Sequence, residues 1–217
     1  MKYKGIIFDL DGVLCSTDEY HYQAWQALAE KIGATGYSRE DNARQRGISR
    51  LESLEVVLEK APGTYTDGEK LAMAEWKNDT YRALLANMSA DDLSDEVKTT
   101  LETLRAKGML LAIGSSSKNT PFILERLGLA DFFDAVSDGN NITRAKPDPE
   151  VFLTAAERLG LQPKDCLVIE DAFSGVEAGL AGGFDTAAIG YAALHEKPTY
   201  KLETFSDILK IMEGGYD

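Results

Sequence analysis

Lys4-Gly5-Ile6-Ile7-Phe8-Asp9-Leu10-Asp11-Gly12 is the stretch on which the fold turns. From Lys4 to Leu10 the residues form a short apolar run rich in Ile and Phe, the composition of a strand covered on both faces, and Gly12 supplies a turn. Asp9 and Asp11 stand two residues apart where that strand ends, so their side chains start on the same side and two carboxylates converge on one crevice. Such a pair divides phosphoryl transfer between a nucleophile and a proton carrier. The same residues also suit a strand that ends in an Asx turn.

Three further runs look alike: Met109 to Gly114, Cys166 to Glu170 and Thr186 to Gly190. Between them lie stretches of helical period, such as Val97, Thr100, Leu101 and Leu104 with Gly108 as a stop. Alternating buried strands and amphipathic helices predict an α/β fold, a Rossmann-like parallel sheet covered on both faces. From about Asp18 to Asn87 the strand signal disappears, and Trp25, Leu28, Ala29 and Ile32 mark a helix that closes at Gly33. The pattern predicts a core from 1–17 and 88–217 and an inserted α-helical cap domain from 18–87. Because the insert follows the first strand directly, it is expected to stand over the carboxyl edge of the sheet as a lid. Gly179 to Gly183 reads as a helix end rather than a nucleotide loop.

The 217 residues carry 23 Lys and Arg against 36 Asp and Glu, a formal charge of −13. No broad basic surface remains for nucleic acid or an anionic membrane, so an anionic substrate needs a local basic pocket. Cys15 and Cys166 give no disulfide framework, His21 and His195 give no zinc spacing, and the first apolar stretch is halted by Asp9. A cytoplasmic protein is expected.

Glu170 and Asp171 end another buried strand and place a second acidic pair on the same edge. Four carboxylates in one crevice repel each other, and a hard divalent cation such as Mg²⁺ relieves this; alternatively, the second pair is a solvated helix start. Ser115, Ser116, Ser117, Lys118 and Asn119 offer hydroxyls, an ammonium and backbone amides to a phosphate, or an N-cap cluster to a helix. Lys146, before Pro147, supplies a charge that suits a transferring phosphoryl group or a surface turn. In the insert, Gly47, Ile48, Ser49 and Arg50 place a guanidinium fork beside a glycine, and Lys77 adds a second cation. His21, on the first helix of the insert, suits a hydrogen bond, a proton shuttle or plain packing.

Asp9 to Gly12 with Val13, then Ser115, then Lys146 with Pro147, then Glu170 with Asp171, separated by a helical cap after the first, resemble the motifs of the haloacid dehalogenase superfamily of phosphotransferases. The likeness covers nearly the whole chain. Glu19, Tyr20, His21, Ala24 and Trp25, Gly47 to Arg50 with Ser53, Lys77 to Asp79, and Ser117 to Asn119 with Pro121 and Phe122 are similar to its sugar-phosphate mutase branch. That resemblance implies Asp9 as the nucleophile, Asp11 as general acid and base, and Thr17 as its orienting partner. It implies Mg²⁺ held by Asp9, the Asp11 carbonyl, Glu170 and Asp171. Ser115 and Lys146 would support the transferring group, and Gly47, Ile48, Arg50, Ser117, Lys118 and Asn119 would bind the sugar phosphate. His21 and Lys77 would couple cap closure to Asp11.

The implied reaction interconverts β-D-glucose 1-phosphate and glucose 6-phosphate in a monomeric enzyme, with β-D-glucose 1,6-bisphosphate as primer and intermediate. Where the branch usually carries an acidic residue, Ser16 stands here, which predicts altered hinge tuning with the chemistry intact. A sugar-phosphate phosphatase is the nearest alternative. A phosphate-accepting signalling domain also fits the acidic pocket, though it has no use for so large a helical insert.

Overall fold

The structure, a computed structural model, describes residues 2–45 and 48–215. Its sheet is built from β1 (Gly5–Phe8), β2 (Leu110–Gly114), β3 (Ala135–Ser137), β4 (Cys166–Glu170), β5 (Asp185–Ala188) and β6 (Tyr200–Lys201), in the order β3-β2-β1-β4-β5-β6. Every pairing is parallel, and Ile7 lies opposite Ala112 on one side and Val168 on the other. β1 and β4 are buried at every residue, which is why their sequences show unbroken apolar runs instead of alternation.

Four of these strands follow the sequence pattern, with β5 starting one residue earlier and ending two earlier than expected. β3 and β6 were not expected. They are edge strands of three and two residues, too short for any period to register.

Contacts divide the chain into two compact units, Met1–Ser16 with Ser89–Asp217 and Thr17–Met88. The first unit holds the sheet together with α5 (Asp95–Ala106), α6 (Thr120–Arg126), α7 (Glu150–Arg158), α8 (Phe173–Ala181) and α9 (Asp207–Glu213). Ile7, Ala112 and Val168 of the sheet pack with Phe152 and Ala155 of α7 and with Ala178 of α8 in one core. The chain winds from β1 outward through β2 and β3, then crosses to β4. The strand order therefore reverses beside β1, and the carboxyl ends of β1, β2 and β4 border the crevice where such sheets place ligands.

The second unit is helical: α1 (Asp18–Ile32), α2 (Arg39–Arg44), α3 (Arg50–Leu58) and α4 (Asp67–Leu85). Trp25, Leu28, Leu54, Val57 and Ala74 form its own core. α1 stops at Gly33, whose φ of 74° suits the left-handed cap that lacks a Cβ penalty. Reciprocal capping boxes open α2, α3 and α4 through Ser38 with Asp41, Ser49 with Glu52, and Thr66 with Glu69. Among the described residues no helix is long and apolar enough to cross a membrane.

Candidate active site

β1 delivers Asp9 to the carboxyl edge, where its amide donates to the Ile169 carbonyl at 3.0 Å and its side chain is buried. Beyond it the chain folds back tightly. Leu14 N–H donates to the Leu10 carbonyl at 3.0 Å and Gly12 N–H to the Cys15 carbonyl at 2.7 Å, with a φ of 85° at Gly12. Asp11 sits in this small closed turn. β4 ends with Glu170 and hands over to Asp171, and β2 ends at Gly114 and hands over to buried Ser115.

Lys146 arrives from the loop before α7 and joins the two acidic strand ends. Its ammonium lies 2.5 Å from Asp9 Oδ1 and 2.5 Å from Glu170 Oε1, with all three side chains nearly excluded from water. The second Glu170 oxygen accepts the Ala172 amide at 2.9 Å. A Cβ on Gly175 would stand 1.8 Å from Glu170 Oε1, so the start of α8 presses directly on this carboxylate. The sequence signal marked Glu170 as a metal ligand. Each of its oxygens accepts one protein donor and keeps a second lone pair that can face a cation.

One ammonium between two carboxylates leaves negative charge in excess. Burial, reinforced by Glu170 and Asp11 and opposed by Lys146, raises the pKa of Asp9. Burial together with the charges of Asp9, Glu170 and Asp11 pushes Asp171 up to about 8. Burial works against the Lys146 ammonium, but the two carboxylates outweigh it and hold its pKa above the ordinary lysine value.

The Asp171 carboxylate has no hydrogen-bond donor among the described residues, and it faces Gly12 closely. Among those residues no three Asp, Glu, His or Cys side chains form a ready metal cage. Mg²⁺, however, takes one or two carboxylates and completes its shell with water and phosphate oxygens. Asp9 and Asp171, carboxylates whose proton affinity is raised by burial and by neighbouring carboxylates, fit that ion.

The Ser115–Asn119 loop follows β2. Ser117 N–H donates to Ser115 Oγ at 3.3 Å and Asn119 N–H to Ser117 Oγ at 3.2 Å. Lys146 N–H reaches Ser116 Oγ at 3.4 Å, which ties this loop to the lysine loop. Asn119 is buried, whereas Lys118 is exposed and its ammonium makes no ion pair among the described residues. The structure thus brings Asp9, Lys146, Glu170 and Asp171 together and sets Ser115 at the end of the adjoining strand.

In the helical unit, the Ser49–Glu52 capping box makes Arg50 the first residue of α3. Arg50 and Ile48 are exposed, and the Arg50 guanidinium makes no hydrogen bond or ion pair among the described residues. Gly47 lies outside the described residues. His21 Nδ1 and Lys77 Nζ are 2.8 Å apart, and the ammonium lies 4.5 Å from the Trp25 ring centre and 4.7 Å from that of Tyr81. Tyr81 also stacks on His21 at 4.0 Å and donates its hydroxyl to Thr17 Oγ1 at 3.0 Å.

Sequence reasoning quoted Trp25 for its helical pattern and for the family likeness, without a role, and passed over Tyr81. A signal was there: Trp25 stands four residues after His21 and Tyr81 four after Lys77, the spacing that shares a helix face.

Residues 3–183 match the haloacid dehalogenase-like hydrolases. The chain is 40% identical over 189 residues to the β-phosphoglucomutase of Bacillus subtilis, covering 86% of this chain and 83% of that protein. It is 31% identical to fructose-1-phosphate phosphatase YqaB of Escherichia coli, over 87% of this chain and 97% of the other. The crystal structure of β-phosphoglucomutase from Clostridium difficile superposes with a TM-score of 0.88 at 31% identity, covering 99% of this chain and 97% of that one.

Proposed function

The chain belongs to the haloacid dehalogenase-like hydrolase family, and from that premise we propose that it is a Mg²⁺-dependent β-phosphoglucomutase. It would interconvert β-D-glucose 1-phosphate and glucose 6-phosphate through phosphorylated Asp9 and β-D-glucose 1,6-bisphosphate. The observation that carries the chemistry is the buried Asp9 carboxylate, held at 2.5 Å by an ammonium whose second partner is Glu170.

An Asp9 oxygen attacks phosphorus of the bisphosphate primer, and the phosphoryl group passes to the carboxylate while Asp11 protonates the leaving sugar oxygen. In the return step Asp11 takes the proton of the accepting hydroxyl, and Asp9 is restored as that oxygen takes the phosphoryl group. Lys146 and Ser115 stabilise the charge on the equatorial oxygens, and Lys146 stays aligned because Glu170 shares it. Asp9, the Asp11 carbonyl, Glu170 and Asp171 would hold Mg²⁺, whose charge offsets that of the phosphoryl oxygens.

Ser117, Lys118 and Asn119, with Gly47, Ile48 and Arg50, bind the phosphate that is not being transferred. Thr17, His21 and Lys77 orient Asp11. We place the reaction in the cytoplasm, in a monomer whose two thiols are unpaired.

The relatives also include sugar-phosphate phosphatases at 30% and 31% identity, and in that alternative water discharges Asp9. Higher identity to the mutase and the unpaired guanidinium of Arg50 support the mutase reading. The deciding assay offers β- and α-glucose 1-phosphate separately, with Mg²⁺ and the bisphosphate primer, and measures glucose 6-phosphate and inorganic phosphate together. The mutase reading requires glucose 6-phosphate from the β anomer in large excess over phosphate. Stoichiometric phosphate release from either anomer rejects it.

A further inference from the structure

The Ser115–Asn119 loop spends its amides in alternation. Ser115 N–H donates to the Ser137 carbonyl at 3.0 Å, and the amides of Ser117 and Asn119 are taken by the Ser115 and Ser117 hydroxyls. The amides of Ser116 and Lys118 have no acceptor among the described residues.

A second loop fixes this pattern from behind. Gly139 N–H donates to the Ser117 carbonyl at 3.2 Å, where the Thr120 hydroxyl also donates at 2.9 Å. Asn140 Nδ2 donates to the Lys118 carbonyl at 3.0 Å. In a trans peptide the carbonyl and the following N–H point in opposite directions. With the Ser117 carbonyl drawn to Gly139 N–H, the Lys118 N–H is turned the other way.

The second loop is built to hold its shape. Buried Asp138 accepts the Asn140 amide at 2.8 Å and Asn141 Nδ2 at 2.9 Å through one oxygen. Asn141 Oδ1 in turn accepts the Asp138 amide at 3.1 Å and the Ser137 hydroxyl at 3.3 Å. Gly139 permits the close approach: a Cβ there would stand 2.4 Å from the Ser116 carbonyl oxygen.

We infer that the Asp138–Asn141 turn is a clamp, with Asn140 as a positioning residue, that presents the Lys118 amide and ammonium to the substrate phosphate that is not being transferred. The clamp rests on the phosphate-binding role proposed for Ser117 to Asn119. It deepens that role by naming what keeps the loop's carbonyls, which repel an anion, on the far side.

Asn140 is exposed, so truncating it leaves the core intact. The test combines kinetics with backbone amide NMR on the full chain. In the unaltered protein, glucose 6-phosphate should shift the Lys118 amide resonance saturably. Asn140→Ala should weaken that response and raise KM for the sugar phosphate about tenfold, the scale of one lost hydrogen bond. Its kcat and the rate of Asp9 phosphorylation by acetyl phosphate should stay within about twofold of the unaltered protein.

Asn140→Leu, similar in size and without a donor, repeats the measurement should the alanine variant fold poorly. A Lys118 amide that ignores glucose 6-phosphate overturns the clamp, as does an unchanged KM in both variants. So does a joint fall of kcat and Asp9 phosphorylation with the melting midpoint, which would mark a general structural role. If the protein proves to hydrolyse rather than isomerise its substrate, the amide titration still reads the clamp by itself.

Discussion

A methyl group on Gly12 would stand 2.0 Å from Asp171 Oδ2, so the turn after the nucleophile closes directly onto the second acidic strand end. The φ of 85° at Gly12 would also strain any larger residue, by about 1–2 kcal/mol. Gly12→Ala should therefore lower stability by that amount in urea denaturation. It should also cut turnover more than tenfold by displacing Asp171. Normal turnover with unchanged Mg²⁺ dependence would show that the close approach is irrelevant to chemistry.

Asp9→Asn keeps the shape of the side chain and removes its nucleophilic oxygen charge. Both isomerisation and phosphate release should fall by at least about 1,000-fold, and no acid-stable label should remain on the chain after exposure to a radiolabelled phosphate donor. Asp11→Ala should lose about 100-fold or more in turnover, the scale of one general acid and base. Wild-type labelling of Asp9→Asn would move the nucleophile elsewhere.

The raised carboxylates give the metal-free protein a distinctive response to pH. Asp171, at about 8, and Asp9, also raised, bind protons more tightly folded than unfolded. The folded state thus carries extra protons from about pH 4 upward, and stability contributed by them is lost as pH rises toward 8. Mg²⁺ competes with those same protons. Its stabilising effect on the melting midpoint should grow from pH 6 to pH 8, and calorimetry in buffers of different ionisation enthalpy should register proton release. An effect that shrinks as pH rises would contradict the assigned donors.

Arg50 offers two parallel donors and has no ion-pair partner among the described residues. Arg50→Ala should reduce mutase turnover about 100-fold while leaving Asp9 phosphorylation by acetyl phosphate within about threefold. Arg50→Lys, which keeps charge but not the fork, should recover only part of the loss. Equal losses in the two assays would argue for a structural role.

What could be read from the sequence was set by how local each signal is. Asp9 and Asp171 were legible because a buried strand announces itself through unbroken apolar residues and its end fixes where the next side chains emerge. Lys146 was legible as a charge suited to phosphoryl transfer, yet its sharing between Asp9 and Glu170 arises from residues 137 and 24 positions away. The same limit hid the clamp. Asp138, Gly139, Asn140 and Asn141 drew no reading from the sequence, and their purpose emerges only when β3 sets them against the loop after β2. β3 itself has three residues and no period to detect.

His21 was open to three readings, and its contact with Lys77 supports the hydrogen-bonded one. Two aromatic faces hold the Lys77 side chain, and their negative faces favour an ammonium over a neutral amine. With Lys77 as an ammonium, which can only donate, His21 Nδ1 is the acceptor and the imidazole proton is carried on Nε2. Burial, then the charges of Lys77 and Arg50, hold the His21 pKa well below its ordinary value. The unfolded chain takes up this proton near pH 6.5 and the folded one does not, so the stability His21 contributes is lost as pH falls. Its ring resonances should show no titration as pH falls from 8 through 6.5, with a pyridine-like Nδ1 and a pyrrole-like Nε2. Lys77→Met should move the titration upward. A midpoint near 6.5 in the unaltered protein would restore the proton shuttle, whereas a silent ring makes His21 a fixed donor that orients its partner without exchanging protons with it.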